Sequence, residues 1–231
     1  MSGAGLEPPP TRRFYGRSRG KALRAGQARL LAERLPQVAI TPAAFADPTG
    51  LFPSPVREVW LEIGFGGGEH LIAQAKANPD VGLIGCEPFV NGVAKALAGL
   101  TAERLSNVRL RAGDAIRLIE AAPDRFFSRV FVLYPDPWPK RRHRKRRIVN
   151  EALIEQLARA MRPGAELRFA SDIDDYVGWT LRRLLAAPQF LWLARGPGDW
   201  RSPWPDWTTT RYEAKARLAD RSSSYLTFRR R

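Results

Sequence analysis

Continuous apolar runs alternate with amphipathic segments along most of this chain. The apolar runs predict strands, because strands of a parallel sheet are buried on both faces. The segments between them have the helical spacing of apolar residues. Such alternation is typical of an α/β fold with a doubly wound, mostly parallel sheet, which a last, antiparallel strand at 224–230 would complete. The other predicted strands are residues 58–63, 81–87, 107–115, 128–138 and 165–172, and the predicted helices are residues 68–78, 90–105, 115–121, 148–164 and 173–187.

Proline and glycine mark the ends of several predicted elements. Residues 26–36 have a helical pattern that we expect Pro36 to stop, and a proline-rich connector at 41–55 leads into the main body. The helix at 148–164 should end at the Pro-Gly pair that closes it. No internal repeat interrupts this order, so we expect a single domain over residues 21–231.

The beginning of the chain has a different composition. Residues 1–20 are rich in glycine, proline and arginine and lack an apolar pattern, which predicts a flexible basic arm. Such an arm either contacts a polyanion or is simply solvated, and its composition leaves both interpretations open.

Charge and composition narrow the classes of function. Hydrophobic residues make up 44% of the 231 residues, enough for a sizeable core, and the net charge is +15. That excess favours a polyanionic partner, nucleic acid before an anionic membrane. One cysteine and two histidines exclude a disulfide framework and a Cys/His metal cluster, so no metal is expected. The chain has no membrane-length apolar run and no signal-peptide core, which predicts a soluble cytoplasmic protein.

A glycine-rich stretch, LEIGFGGGEH at 61–70, follows the first strand of the sheet. In that context it predicts a nucleotide-binding turn, because glycine allows tight turns and close approach of a ligand to the backbone. The glycines stand at 64, 66 and 68, and the third glycine of the dinucleotide fingerprint is replaced by Glu69. A carboxylate there would repel a pyrophosphate. The loop therefore favours a ligand without phosphates and disfavours a dehydrogenase.

Acidic residues stand at the ends of three successive predicted strands. Glu62 could face a cationic group such as an amine, Glu87 could accept hydrogen bonds from ribose hydroxyls, and Asp114 could bind an adenine amino group. S-adenosylmethionine has an amine, a ribose and an adenine but no phosphate. Any one of these acids could instead be a solvated or helix-capping residue, but all three at one sheet edge favour this ligand.

The stretch PDPWPKRRHRKRR at 135–147 joins a carboxylate to the most basic part of the chain. Asp136 is flanked by prolines that stiffen the loop, and Trp138 offers a flat face for a base. Residues 140–147 then supply cations for phosphate contacts. The stretch predicts a site where a nucleic-acid base meets a methyl donor, and a solvated basic face is the alternative.

In order along the chain, the motifs EIGFGGG, GCEP, GDA, YPDPWPKRRHRKRR, FASD and TTRYE closely resemble those of bacterial tRNA (guanine-N7-)-methyltransferases. The resemblance covers about residues 12–230 and implies a Rossmann-like class I methyltransferase that acts on the variable loop of tRNA. The sequence shows no sign of an obligate protein partner, and it leaves a monomer and a homodimer equally open. The resemblance implies that S-adenosylmethionine is bound by Glu62, Gly64, Glu87, Asp114 and Asp136, and that Asp136 is the catalytic residue. It implies that the substrate is bound by Lys140, Asp172, Thr210, Arg211, Tyr212 and Glu213. It implies that RNA is bound by Arg142, His143, Arg144, Lys145, Arg146 and Arg147.

Several features leave alternatives open. Cys86 stands where we expect an aliphatic residue, and a buried cysteine would act as a small hydrophobe rather than a nucleophile. Trp200, Trp204 and Trp207 could stack bases or pack a loop onto the sheet. An adenine or glutamine methylase is the nearest rival, although such enzymes usually carry D/N-P-P-Y/F rather than P-D-P-W. An RNA-binding protein without catalysis is the alternative from another class.

The expected chemistry needs no general base, because guanine N7 carries a free lone pair and no proton. Catalysis would then consist of aligning N7 with the methyl group and excluding water. Asp136 could stabilise the positive charge on the ring or hold the base through its exocyclic N–H groups, and Asp172 could do the latter instead.

Overall fold

One seven-stranded sheet organises the computed structural model, which describes Gly16, Ser18 and residues 20–231. Nearly all of the predicted basic arm lies outside the described residues. The strands run in the order β3-β2-β1-β4-β5-β7-β6. They are β1 (Glu58–Ile63), β2 (Val81–Cys86), β3 (Val108–Arg111), β4 (Phe127–Leu133), β5 (Met161–Ser171), β6 (Phe190–Trp192) and β7 (Ser224–Arg230).

The first five strands are parallel, and β7 pairs antiparallel with both β5 and β6. This arrangement confirms the prediction of a mostly parallel sheet with an antiparallel C-terminal strand. From β1 the chain moves through β2 to β3 on one side and then crosses to β4 on the other. In open α/β sheets, ligands bind outside the carboxyl ends of the strands at such a switch point.

Helices cover both faces of the sheet. Val59, Leu61 and Ile63 of β1 pack in one buried cluster and Trp60 in the other, as the alternation of side chains along a strand requires. The helices are α1 (Ala25–Glu33), α2 (Leu35–Val38), α3 (Glu69–Ala77), α4 (Val90–Ala102), α5 (Ala115–Ala121), α6 (Glu151–Ala160), α7 (Asp174–Ala186), α8 (Gly198–Arg201) and α9 (Arg211–Leu218).

The structure corrects some predicted boundaries. The helix predicted at 148–164 ends at Ala160, and β5 begins at the next residue, Met161. The Pro-Gly pair that was expected to end the helix is exposed and lies within this strand. Pro36 does not stop the first helix; it lies in the first turn of α2, where a missing backbone N–H costs nothing. Among the described residues, no helix combines the length and the apolar character that crossing a membrane would require.

Candidate active site

A cavity of about 430 Å³ opens at the switch point, outside the ends of β1, β2 and β4. Its wall combines backbone from the glycine-rich turn, carboxylates, aromatic rings and cations. The lining includes Gly64, Gly66, Cys86, Glu87, Phe89, Asp114, Tyr134, Asp136, Trp138, Arg146, Arg211, Tyr212 and Lys215.

The glycine-rich turn has the backbone that its sequence predicts. Gly64, Gly66 and Gly68 have φ angles of +78°, +57° and +82°, a region that other residues rarely adopt. A Cβ atom at Gly64 would meet no protein atom within 4 Å, so a ligand has room beside this backbone. Glu69, which follows, forms an ion pair with Lys95 of α4.

Glu87 is buried and held by the backbone around it. Its Oε2 accepts a hydrogen bond from the N–H of Gly66 at 2.7 Å, and its Oε1 accepts one from the N–H of Phe89 at 2.9 Å. Burial raises the pKa of this carboxyl, and the neighbouring Asp136 adds to the rise. Each carboxylate oxygen has a second lone pair, so Glu87 can still accept hydrogen bonds from a ligand.

Asp114 lines the cavity from the start of α5. The third strand ends at Arg111 rather than at the predicted Asp114. Asp114 is instead the N-cap of the helix, and its Oδ1 accepts a hydrogen bond from the N–H of Ile116 at 3.0 Å. Capping occupies one oxygen and leaves the other available to the cavity.

Asp136 stands in the loop that follows β4. The loop backbone is unusual, because two bulky residues, Tyr134 and Trp138, have φ angles of +48° and +41°. Asp136 itself is exposed, but protein around the cavity displaces water from its carboxylate and raises its pKa. Among the described residues, none donates a hydrogen bond to Asp136.

Glu62 does not line the cavity in this structure. Its carboxylate is buried and lies 2.8 Å from Nδ1 of His70. The imidazole ring in turn packs against Phe131 and Trp207, with ring centroids 4.7 and 5.3 Å away. The predicted contact between Glu62 and the methyl donor therefore stays a prediction.

The residues at the start of α9 divide between two tasks. Thr210 caps the helix, and Glu213 is buried and accepts hydrogen bonds from Trp207 Nε1 and Tyr225 Oη at 2.7 and 2.9 Å. Arg211 and Tyr212 face the cavity, and their side chains reach the space beside Gly66.

The remaining predicted substrate residues lie outside the cavity lining. Lys140 is exposed at the start of a 3₁₀ helix, Arg141–Arg146. Asp172 accepts a hydrogen bond from Nε of Arg221 at 2.7 Å. Both are near the sheet edge that carries the cavity, since they follow β4 and β5.

The basic stretch forms that 3₁₀ helix and presents only part of its charge to solvent. Arg142 and Lys145 are exposed, and His143 and Arg144 are partly buried. The guanidinium of Arg146 lies 4.9 Å above the Trp138 ring, and the His143 ring meets the same indole edge to face, with centroids 6.0 Å apart.

Arg147 does not fit the predicted contact with RNA. Its side chain is fully buried, donates to the carbonyl of Pro137 and forms an ion pair with Asp175. A phosphate cannot reach it in this structure.

The packing of the structure decides between the alternatives left open for the three tryptophans and for Cys86. Trp204 and Trp207 pack edge to face on Tyr225, with centroids 5.4 and 5.5 Å away, so they fix their loop onto the sheet. Trp200 also packs against the core. Cys86 is buried, and desolvation raises its pKa to about 12, which excludes a reactive thiolate at neutral pH.

Sequence reasoning missed two lining side chains, of which helical spacing could have found only the first. Lys215 stands four residues after Arg211 in α9, and residues at that spacing share one face of a helix. Phe89 follows Glu87 at the end of β2, where its ring lines the cavity. No motif marks either residue.

The sequence of this chain is similar to those of known methyltransferases. A family model described as "Putative methyltransferase" matches residues 56–225. The tRNA (guanine-N(7)-)-methyltransferase of Nitrobacter hamburgensis is 51% identical over 94% of this chain and 86% of its own. The enzyme of that name from Rhodospirillum rubrum is 51% identical over 97% and 90%, and that from Azorhizobium caulinodans is 52% identical over 94% of both chains.

Solved structures agree on the fold. The aminoglycoside resistance methyltransferase NpmB1 superimposes with a TM-score of 0.55 at 19% identity, covering 77% of this chain and 89% of its own. An rRNA methylase from Streptococcus thermophilus gives a TM-score of 0.52 at 11% identity, covering 76% and 88%. With half of its residues shared over nearly its whole length, the chain belongs to the tRNA (guanine-N7-)-methyltransferase family.

Proposed function

We propose that this enzyme transfers the methyl group of S-adenosylmethionine to N7 of a guanine in the variable loop of tRNA. The observation that carries the proposal is the position of Asp136. Its carboxylate faces a cavity lined by a glycine turn and two further acids, and the basic 3₁₀ helix follows it in the chain. One residue thus stands where a methyl donor and an RNA base would meet.

The cavity suits S-adenosylmethionine, which when bound supplies an electrophilic methyl group on a sulfonium. Glu87 has lone pairs for the ribose hydroxyls, and Asp114 has a free oxygen for the adenine amine. The open space beside Gly64 admits the donor close to the backbone. The carboxylates of the wall can face the cationic groups of the ligand.

The nucleophile requires alignment rather than deprotonation. Asp136 would accept hydrogen bonds from the N–H groups of the guanine edge and thereby orient N7. Positive charge develops on the ring during attack, and a fixed carboxylate from which protein displaces part of the water stabilises that charge. The absence of an ion-pair partner for Asp136 among the described residues supports this role, because its charge remains available to the base.

The exposed cations of the 3₁₀ helix, including Arg142 and Lys145, would contact tRNA phosphates and guide the loop to the cavity.

We extend the proposal to one catalytic domain over residues 21–231. It would act in the cytoplasm, where tRNA is used, without an obligate protein partner and as a monomer or homodimer.

The direct test uses the isolated enzyme, a tRNA transcript and S-adenosylmethionine labelled in its methyl group. After reaction the RNA is digested to nucleosides and the labelled nucleoside is identified. We expect 7-methylguanosine. Labelled N6-methyladenosine would instead favour the amino-methylase, and the absence of labelled RNA would leave only RNA binding.

A further inference from the structure

One cation of the basic stretch lies inside the protein rather than on its surface. Arg147 is 1% exposed, whereas Arg142 and Lys145 face solvent. A guanidinium withdrawn from water requires hydrogen-bond and charge partners, or it would destabilise the fold. The partners of Arg147 therefore indicate what this position does.

Those partners come from the loop of Asp136 on one side and from α7 on the other. Nε of Arg147 donates to the carbonyl oxygen of Pro137 at 2.8 Å. Nη2 forms an ion pair with the carboxylate of Asp175, and Nη1 donates to the Asp175 carbonyl oxygen at 3.4 Å. The rigid fork of an arginine can hold two such groups at a fixed separation, which a lysine cannot do.

Aromatic residues of α7 enclose the same guanidinium. Its carbon lies 4.7 Å from the ring centroid of Tyr176 and 4.9 Å from that of Trp179. The two residues also bind the backbone just beyond Arg147, since Trp179 Nε1 donates to the Val149 carbonyl at 2.7 Å and Tyr176 Oη accepts from the Val149 N–H at 3.4 Å. The end of the segment from 137 to 149 is thus fastened directly to α7, and Pro137 at its start is held to α7 through Arg147.

The hydrogen bond from Arg147 reaches the loop at Pro137, between the proposed catalytic residue and the indole beside it. Asp136 precedes it and Trp138, with its strained φ of +41°, follows it. Such a backbone persists only when surrounding contacts hold it. We infer that Arg147 is a positioning residue, which fixes the Asp136 carboxylate for methyl transfer by fastening the Pro137 carbonyl to Asp175, and that it does not contact RNA. This inference rests on the proposed function.

The test compares Arg147→Lys and Asp175→Asn with Arg142→Gln, a variant of an exposed cation. Three quantities are measured: the single-turnover rate constant of methyl transfer at saturating donor and tRNA, the Kd for tRNA, and the dependence of that Kd on salt. Calorimetric binding of S-adenosylmethionine establishes that each variant is folded. Asp175→Asn serves where a change at the buried position unfolds the chain, because Asp175 is an exposed residue. Asp175 also forms an ion pair with Arg144, with Nη2 and Oδ1 2.8 Å apart, so the rate constant of this variant, rather than its tRNA affinity, tests the inference.

We expect Arg147→Lys and Asp175→Asn to lower the rate constant by about 10- to 100-fold, as small misplacements of catalytic groups do, without weakening tRNA binding. Amide exchange at Asp136 and Trp138 should also accelerate. Arg142→Gln should instead raise the Kd for tRNA and reduce its salt dependence. A wild-type rate constant in Arg147→Lys, or a loss of tRNA affinity like that of Arg142→Gln, would overturn the inference. Failure of the wild-type enzyme to methylate tRNA would overturn the proposed function itself.

Discussion

At the scale of single residues, the environment of Asp136 combines partial loss of water with a lack of protein partners among the described residues. Its carboxylate lies in a cavity wall from which protein displaces water, yet none of the described residues forms an ion pair or a hydrogen bond with it. The raised pKa means that the folded chain stabilises the charge of Asp136 less well than water does. That charge is therefore available to a ligand.

Replacing Asp136 by asparagine should separate activity from stability. Its pKa is raised in the folded state, so the folded chain holds this proton up to a higher pH than the unfolded chain does. The group thus favours folding below its unfolded pKa and loses that contribution as pH rises through the folded value. At neutral pH, Asp136→Asn should leave the unfolding temperature unchanged or raise it, while the rate constant falls by about 100- to 1000-fold.

Thermal unfolding and single-turnover methyl transfer measure the two effects. Asp220→Asn is the matched control, because Asp220 is exposed, has a φ of +54° that asparagine tolerates, and lies outside the cavity lining. It should change neither quantity. A marked drop in the unfolding temperature of Asp136→Asn would show that the carboxylate is structural.

The raised pKa also predicts an acid limb in the pH dependence of methyl transfer. Protonated Asp136 would lose its charge and part of its capacity to accept hydrogen bonds from the guanine edge. The rate constant should therefore fall on acidification at a higher pH than an ordinary aspartate would give. Saturating S-adenosylmethionine suppresses the contribution of Glu87, whose protonation would act on donor binding. A rate constant that stays level down to the ordinary range of an aspartate would contradict this role.

At the scale of elements, the close approach of α4 to the glycine turn shapes the donor site. A Cβ atom on Gly92 would lie 2.2 Å from the carbonyl oxygen of Gly66, and that backbone oxygen cannot move without displacing the turn. The N–H of Gly66 also binds Glu87, so the helix, the turn and the carboxylate form one unit.

Gly92→Ala should therefore weaken S-adenosylmethionine binding, by about 10-fold or more, although alanine favours a helix by about 1 kcal/mol over glycine. Gly99→Ala on the same helix is the matched control. There the nearest atom, Cδ1 of Ile72 at 2.4 Å, is the end of a flexible side chain that can rotate away. Calorimetry should separate the two variants, and equal affinities would contradict the packing argument.

Some elements were predictable from the sequence and some were not, for physical reasons. β1, β2 and β4 are buried on both faces, so each appears as an apolar run in the sequence. The junction of α6 and β5 was missed, since Met161 continues the apolar spacing of the helix although it begins the strand. β6 has only three residues and no distinct pattern.

Some residues of the candidate site could likewise be predicted from the sequence, and others could not. Glu87, Asp114 and Asp136 follow strands, so their convergence on one cavity could be expected from the order of elements alone. The burial of Arg147 depends on Asp175, which is distant in the sequence and becomes a neighbour only after folding. For that reason a charge pattern could not distinguish Arg147 from the exposed cations beside it.

At the scale of the whole molecule, the charge of +15 implies that tRNA binding depends strongly on salt. Arg142 and Lys145 are exposed in the 3₁₀ helix and should each contribute contacts. Replacing both by glutamine should reduce the slope of log Kd against log salt by about one unit per lost phosphate contact.

Filter binding over a range of salt concentrations measures that slope. Lys76→Gln is the control, because Lys76 is already paired with Glu103, with Nζ and Oε2 2.7 Å apart, and should not change the slope. An unaltered slope in the double variant would mean that the 3₁₀ helix does not contact phosphates.

The central claim is that a methyl group reaches N7 of one guanine in the variable loop of tRNA. The most direct measurement treats reacted tRNA with a reagent that cleaves RNA at 7-methylguanosine and maps the break. A single break in the variable loop, absent without S-adenosylmethionine and strongly reduced with Asp136→Asn, is the predicted result. Methyl incorporation without any such break would place the chemistry on another atom and contradict the account.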